Sequence, residues 1–101
     1  MIKVVHCNKE SYDILIDRTT MWGNPFEIGR DGSRSEVIDK FRKWLNGEAY
    51  TDFKQKEREA ILFNLDVLEN KTLACWCKPK ACHGDVYRDM VEERKTGILK
   101  M

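Results

Sequence analysis

Cys75-Trp76-Cys77-Lys78-Pro79-Lys80-Ala81-Cys82-His83-Gly84-Asp85-Val86 is the stretch on which the fold turns. It continues an apolar run, Thr72-Leu73-Ala74, so residues 71–77 read as a strand. Pro79 has no N–H for a sheet ladder and breaks that strand. Beyond it Val86, Met90 and Val91 recur at helical spacing, so a helix opens near Cys82 and Gly97 closes it. The first N–H groups of a helix lack internal partners, and the helix dipole is positive there. Three of the four cysteines and one of the two histidines fall at this handover. Thiols and an imidazole in that position can bind an anion, hold a metal, or pair as nucleophile and base.

Outward from this stretch, Ile2 to Cys7 reads as a first strand and Asp13 to Ile16 as a short second one. Met21 to Gly32 holds four Gly or Pro residues and is a loop. Ser33-x-x-Glu36 is a capping box that opens a helix with Val37, Ile38, Phe41, Trp44 and Leu45 on one face. Asn46-Gly47 ends it. A second helix is expected from Asp52 to Glu69, with Phe53, Ala60, Ile61, Leu65 and Leu68 inward. The charged run 54–59 reads as its solvated face. Trp76 alternates with the cysteines, which predicts core packing on the other side of the sheet.

Strands alternating with helices predict a single α/β domain over residues 1–101: a small two- or three-layer Rossmann-like sheet with about three helices. Its first and last strands are expected as parallel neighbours joined by a right-handed crossover. Ligands of such sheets sit at the carboxyl ends of the strands. Cys7, the Trp22-to-Phe26 loop and Cys77-to-His83 all follow strand ends, so the pattern gathers them on one edge.

Composition narrows the classes. With 18 Lys+Arg against 17 Asp+Glu in 101 residues, the net charge of +1 argues against a broad nucleic-acid-binding surface. No apolar run approaches the roughly 20 residues of a membrane span. Met1-Ile2-Lys3-Val4-Val5 is unlike a signal peptide, so a cytoplasmic protein with reduced thiols is expected. Cys75 and Cys77, on one face of one strand, are poorly placed to bridge each other.

Two constellations carry chemistry. The first is Cys82, His83 and Asp85, read as a catalytic set in which the helix start and an imidazole favour a Cys82 thiolate and Asp85 orients the ring. Cys77 and Lys78 join it as ligand-binding residues. The alternative is a buried cysteine beside a capping histidine. Zinc on Cys75, Cys77, Cys82 and His83 is a further reading, but the spacings differ from the common structural sites, so no cofactor is assigned. The second constellation is Trp22-Gly23-Asn24-Pro25-Phe26, a Gly-Asn-Pro turn between two aromatics suited to stacking on a base or sugar. Arg18, Arg30, Arg34 and the cap residue Ser33 flank it with groups suited to phosphate. No P-loop or dinucleotide-binding glycine pattern is present.

On these residues the chain resembles an uncharacterised family of phages and bacteria, domain of unknown function 4326. The likeness is carried by Trp22-Gly23-Asn24-Pro25-Phe26, by Ile28-Gly29-Arg30-Asp31-Gly32-Ser33-Arg34 with Glu36-Val37-Ile38, and by Leu73-Ala74-Cys75-Trp76-Cys77-Lys78-Pro79 with Cys82-His83-Gly84-Asp85-Val86. The Ile-Gly-Arg usual ahead of the tryptophan loop is Ile16-Asp17-Arg18 here. A local similarity to domain of unknown function 488 covers only the C-terminal Cys-His motif. The resemblance implies a phage origin, and with it the host cytoplasm, but no reaction. From the residues, the expected function is binding of a small anionic, nucleotide-like or ribose-phosphate-like ligand, with Cys82 and His83 acting on it. The competing class is a phage-type interaction protein that binds a host protein without chemistry.

Overall fold

The computed structural model describes residues 2–78 and 80–100, with the last six given by their backbone alone. The elements run β1 (Lys3–His6), β2 (Ile14–Leu15), α1 (Arg34–Leu45), α2 (Gln55–Asn64), a tighter helical turn at Leu65–Leu68, β3 (Thr72–Cys75) and α3 (Gly84–Lys100). The sheet has the order β1-β3-β2 and both pairings are parallel. Lys3 lies opposite Thr72 and His6 opposite Cys75, while Ile14 lies opposite Leu73. The expected parallel pairing of the first and last strands is therefore present. As the central strand, β3 is buried at Leu73, Ala74 and Cys75, which is why its sequence is continuously apolar.

The strands are so short that residues 7–13 suffice to carry the chain from β1 past β3 to β2. Asp13 anchors the far side: its N–H donates to the Thr72 carbonyl, and its carboxylate accepts from the Thr72 N–H at 2.8 Å. On α1, the Ser33 hydroxyl accepts from the Glu36 N–H while the Glu36 carboxylate accepts from the Ser33 N–H. This is the expected capping box. The helix ends at Asn46 and Gly47, the latter with φ of +78°.

Helical boundaries differ from expectation at both ends of the second helix, which gives way to the tighter turn after Asn64, and at both ends of the last, which starts at Gly84. The second helix starts at Gln55, because Tyr50 and Lys54 take left-handed backbone conformations that interrupt any earlier helix. Its charged face is not wholly solvated either, since Arg58 Nε donates to the Trp44 and Leu45 carbonyls and closes the end of α1. Ala60 is exposed there and Phe53 half-buried, so Ile61, Leu65 and Leu68 carry the burial. The last helix continues through Gly97 to Lys100.

Helix α3 packs on β1 and β3, and α1 packs on α3 and α2. The core between them joins Phe41, Trp44, Ile61, Leu65, Leu73, Val86 and Tyr87. Gly84 lets α3 approach the sheet. A Cβ there would lie 2.8 Å from a Val4 methyl carbon and 2.9 Å from Ile16 Cδ1. Among the described residues no helix is long and apolar enough to cross a membrane.

Candidate functional site

A cleft of about 310 Å³ opens where β2 and β3 end. Asp17, Arg18 and Thr19 enter it just past β2, and Cys75, Trp76 and Cys77 enter it from the end of β3. Arg34, Val37 and Ile38 supply the start of α1, Ala81, Cys82 and His83 the approach to α3, and Asn24, Phe26 and Ile28 the tryptophan loop. The carboxyl edge of the sheet is thus a concave site, the position ligands favour in parallel α/β proteins.

The strand ends at Cys75, so the side-chain alternation assumed for Trp76 stops there. Trp76 is 57% exposed, not packed in the core. Its indole N–H donates to Asp17 Oδ2 at 3.0 Å, and its ring meets His6 edge-on. Hydrogen bonds from the Thr19 hydroxyl and from Trp76 hold the Asp17 carboxyl below its ordinary range. Arg18 lies at the cleft wall with its guanidinium donating to the carbonyls of Asn24 and Phe26. Arg34 reaches across to the Ala81 carbonyl.

His83 has a different setting from that of a free base. Its Nε2 lies 2.7 Å from the Ile16 carbonyl oxygen and 2.9 Å from that of Trp22. Two carbonyl acceptors on one ring nitrogen require the Nε2–H tautomer. Burial pushes its pKa down, against those two carbonyls, so the ring is neutral. The Tyr87 hydroxyl donates to the same Trp22 carbonyl at 2.7 Å. The histidine and tyrosine thereby clamp the tryptophan loop to the start of α3. The His83 carbonyl accepts the Val86 and Tyr87 N–H groups, so His83 takes the helix-cap position and Cys82 stands just ahead of it.

Asp85 closes this start from the other side. One carboxylate oxygen accepts from Lys78 at 2.8 Å and from Arg88 at 3.3 Å, and the other accepts from the Cys82 N–H. Burial pushes its pKa up, but the Lys78 bond, the Cys82 N–H and the charges of Lys78 and Arg88 outweigh burial and hold it low. A carboxylate with a depressed folded pKa stabilises the fold above its unfolded pKa, and that contribution is lost as pH falls through the folded one. Asp85→Asn is therefore expected to cost roughly 1–3 kcal/mol at pH 7. The difference from wild type should shrink below about pH 4, measured by urea unfolding at both pH values.

Of the residues singled out from sequence, the cleft gathers Arg18, Asn24, Phe26, Arg34, Cys77, Cys82 and His83. Lys78 and Asp85 sit behind it as an ion pair. Trp22, expected to stack on a ligand, is a core residue: it is 7% exposed and meets Tyr87 edge-on. Phe26 packs against Trp44, Tyr50 and Phe53 and offers the cleft little surface. Asn24 is buried, accepting the Phe26 N–H and donating to the Val37 carbonyl, so it fixes the turn. Arg30 and Pro25 line a second cavity on the other side of the loop. There Arg30 pairs with Glu27 and Asp31 and donates to the Pro25 carbonyl. Ser33 is occupied as the helix cap. Among the described residues no three His, Cys, Asp or Glu side chains gather as a metal set. Sequence reasoning missed Asp17 and Trp76 as cleft residues. Asp17 had a signal, being the residue that departs from the Ile-Gly-Arg pattern.

A family model described as "Domain of unknown function (DUF4326)" matches residues 3–93. An "Uncharacterized 12.4 kDa protein in nrdA-td intergenic region" of Enterobacteria phage T4 is 37% identical over 94 residues, spanning 90% of this chain and 78% of the relative. No solved structure matches.

Proposed function

We propose a ligand-binding function for this chain, which belongs to the family of domain of unknown function 4326: it holds a small nucleotide-like or ribose-phosphate-like anion in the cleft at the carboxyl ends of β2 and β3. The observation that carries the reading is the exposed Trp76 indole beside an ionised Asp17 on the rim of a cleft lined by two arginines. An indole face suits a nucleobase. A carboxylate at the end of a parallel strand suits ribose hydroxyls, as in Rossmann-like sheets. Arg18 and Arg34 outnumber Asp17 in charge and suit phosphate. The apolar wall of Val37, Ile38 and Ile28 suits a base more than a free sugar phosphate. His83, Asp85 and Lys78 serve here to build the site and fix the loop. The phage relative is consistent with action in a host cytoplasm.

The test is a thermal-shift panel of nucleoside phosphates, ADP-ribose-like compounds and sugar phosphates. A true ligand at 100 times its Kd stabilises by about 2.7 kcal/mol, a rise of ~10 °C or more for a domain this size. Trp76→Ala and Arg34→Ala are expected to reduce the shift at least tenfold in apparent affinity. Trp76→Ala should change the unliganded stability by less than about 1 kcal/mol, because its ring is mostly solvated. No shift at millimolar concentration would overturn the proposal. The interaction-protein reading would then take its place, with the solvent-exposed Phe63 and Val67, one helical turn apart, as its first surface.

A further inference from the structure

The inner wall of the cleft holds a pair of sulfurs. Cys75 ends β3 and Cys82 precedes α3, and their Sγ atoms are 3.1 Å apart. Both are free thiols, both are 2% exposed, and both line the cleft. A contact this short is a hydrogen bond between a thiol and its neighbour. The two sulfurs have unequal surroundings. The hydrogen bond with Cys82 lowers the Cys75 pKa most, burial opposes it, and the N–H groups of Cys77 and Lys78 and the Lys78 ammonium add to the lowering. At Cys82 only the Gly84 N–H does so, and the Asp85 carboxylate opposes it. The sulfur contact pairs the two thiols, and their surroundings favour the negative charge on Cys75 over Cys82. A low-pKa thiol next to a second cysteine is the arrangement of a peroxide-reactive pair. Both cysteines belong to the cleft wall, although their sulfurs are nearly covered.

We propose that Cys75 and Cys82 are a reversible dithiol–disulfide pair in the wall of the cleft, with Cys75 attacking a hydroperoxide and Cys82 resolving the product. In the first step the Cys75 thiolate attacks a peroxide oxygen, an S–O bond forms and the O–O bond breaks. The departing hydroxide or alkoxide takes a proton from solvent. In the second step the Cys82 sulfur attacks the Cys75 sulfenic acid, the S–S bond forms and the S–O bond breaks. The hydroxide leaves as water with the Cys82 proton. The two sulfurs give up two electrons and the peroxide gains them. A small dithiol reverses the change. This inference stands apart from the nature of the cleft ligand, because it rests on the thiol contact and not on Trp76 or Asp17.

The test uses the full chain, reduced, exposed to hydrogen peroxide, quenched with catalase and then unfolded in N-ethylmaleimide. Peptide mapping is expected to find Cys75 linked to Cys82, with Cys7 and Cys77 alkylated, and prior dithiothreitol should restore four alkylated cysteines. In Cys82→Ser the reaction should stop at a Cys75 sulfenic acid that dimedone traps. Maleimide on both Cys75 and Cys82 after peroxide would overturn the proposal. So would oxidation that starts at Cys7 or Cys77. The wild-type map decides the linkage even where the serine variant misfolds.

Discussion

Trp22→Ala is expected to destabilise the protein by about 3–5 kcal/mol, the range for truncating a buried aromatic. Trp22 is 7% exposed, stands edge-on to Tyr87, and belongs to the same core as Phe26 and Phe41. For a domain this size the loss is a fall of ~15–30 °C in Tm. It is also a large part of the roughly 5–15 kcal/mol that holds a domain folded. Unfolding in urea with far-UV detection measures it. The comparison with Trp76→Ala separates the two tryptophans. The first removes stability and the second removes ligand. A Trp22→Ala variant within 1 kcal/mol of wild type, but with binding abolished, would return the stacking role to Trp22.

Gly23→Ala is expected to act on the same loop by the opposite cause, crowding in place of a cavity. A Cβ on Gly23 would lie 2.7 Å from the Asp17 carbonyl oxygen and 2.8 Å from Arg18 Cα. Both are backbone atoms, so no side chain can rotate away to relieve the clash. Overpacking typically costs 1–3 kcal/mol, and with backbone on both sides the upper end, about 3 kcal/mol, is expected. The displaced Asp17 and Arg18 line the cleft. The variant should therefore lose ligand-induced stabilisation as well as intrinsic stability. Chemical denaturation and the thermal-shift panel, run on one preparation, check both. A glycine conserving only chain flexibility would show the stability loss without the binding loss.

Both tryptophan assignments turned on where a ring points once the chain has left a regular element. Alternation along a strand predicts the face of a side chain only while the ladder continues. The ladder stops at Cys75, one residue before Trp76, so the indole turns outward to meet Asp17 from beyond β2. In the Trp22-to-Phe26 loop no local rule separates a ring facing a ligand from a ring facing the core. The partner that decides it is Tyr87, which lies on α3. His83 is the same case. Its place beside Cys82 suggests a nucleophile's base, yet its Nε2 is directed at carbonyls 67 and 61 residues away.

The amino-acid sequence by itself determined the parallel β1–β3 pair, the Ser33–Glu36 capping box and the stop at Asn46-Gly47. These depend on neighbours a few residues apart and on runs of apolar residues, whose physics is local. It also determined that two motifs meet at the carboxyl edge, because strand ends in a parallel sheet share one side. Tertiary structure alone decided which residues face the cleft and which sulfur lies against which. Those outcomes depend on contacts between β2, β3, the tryptophan loop and α3. Such contacts form only when distant segments pack, and no local preference encodes their side-chain directions.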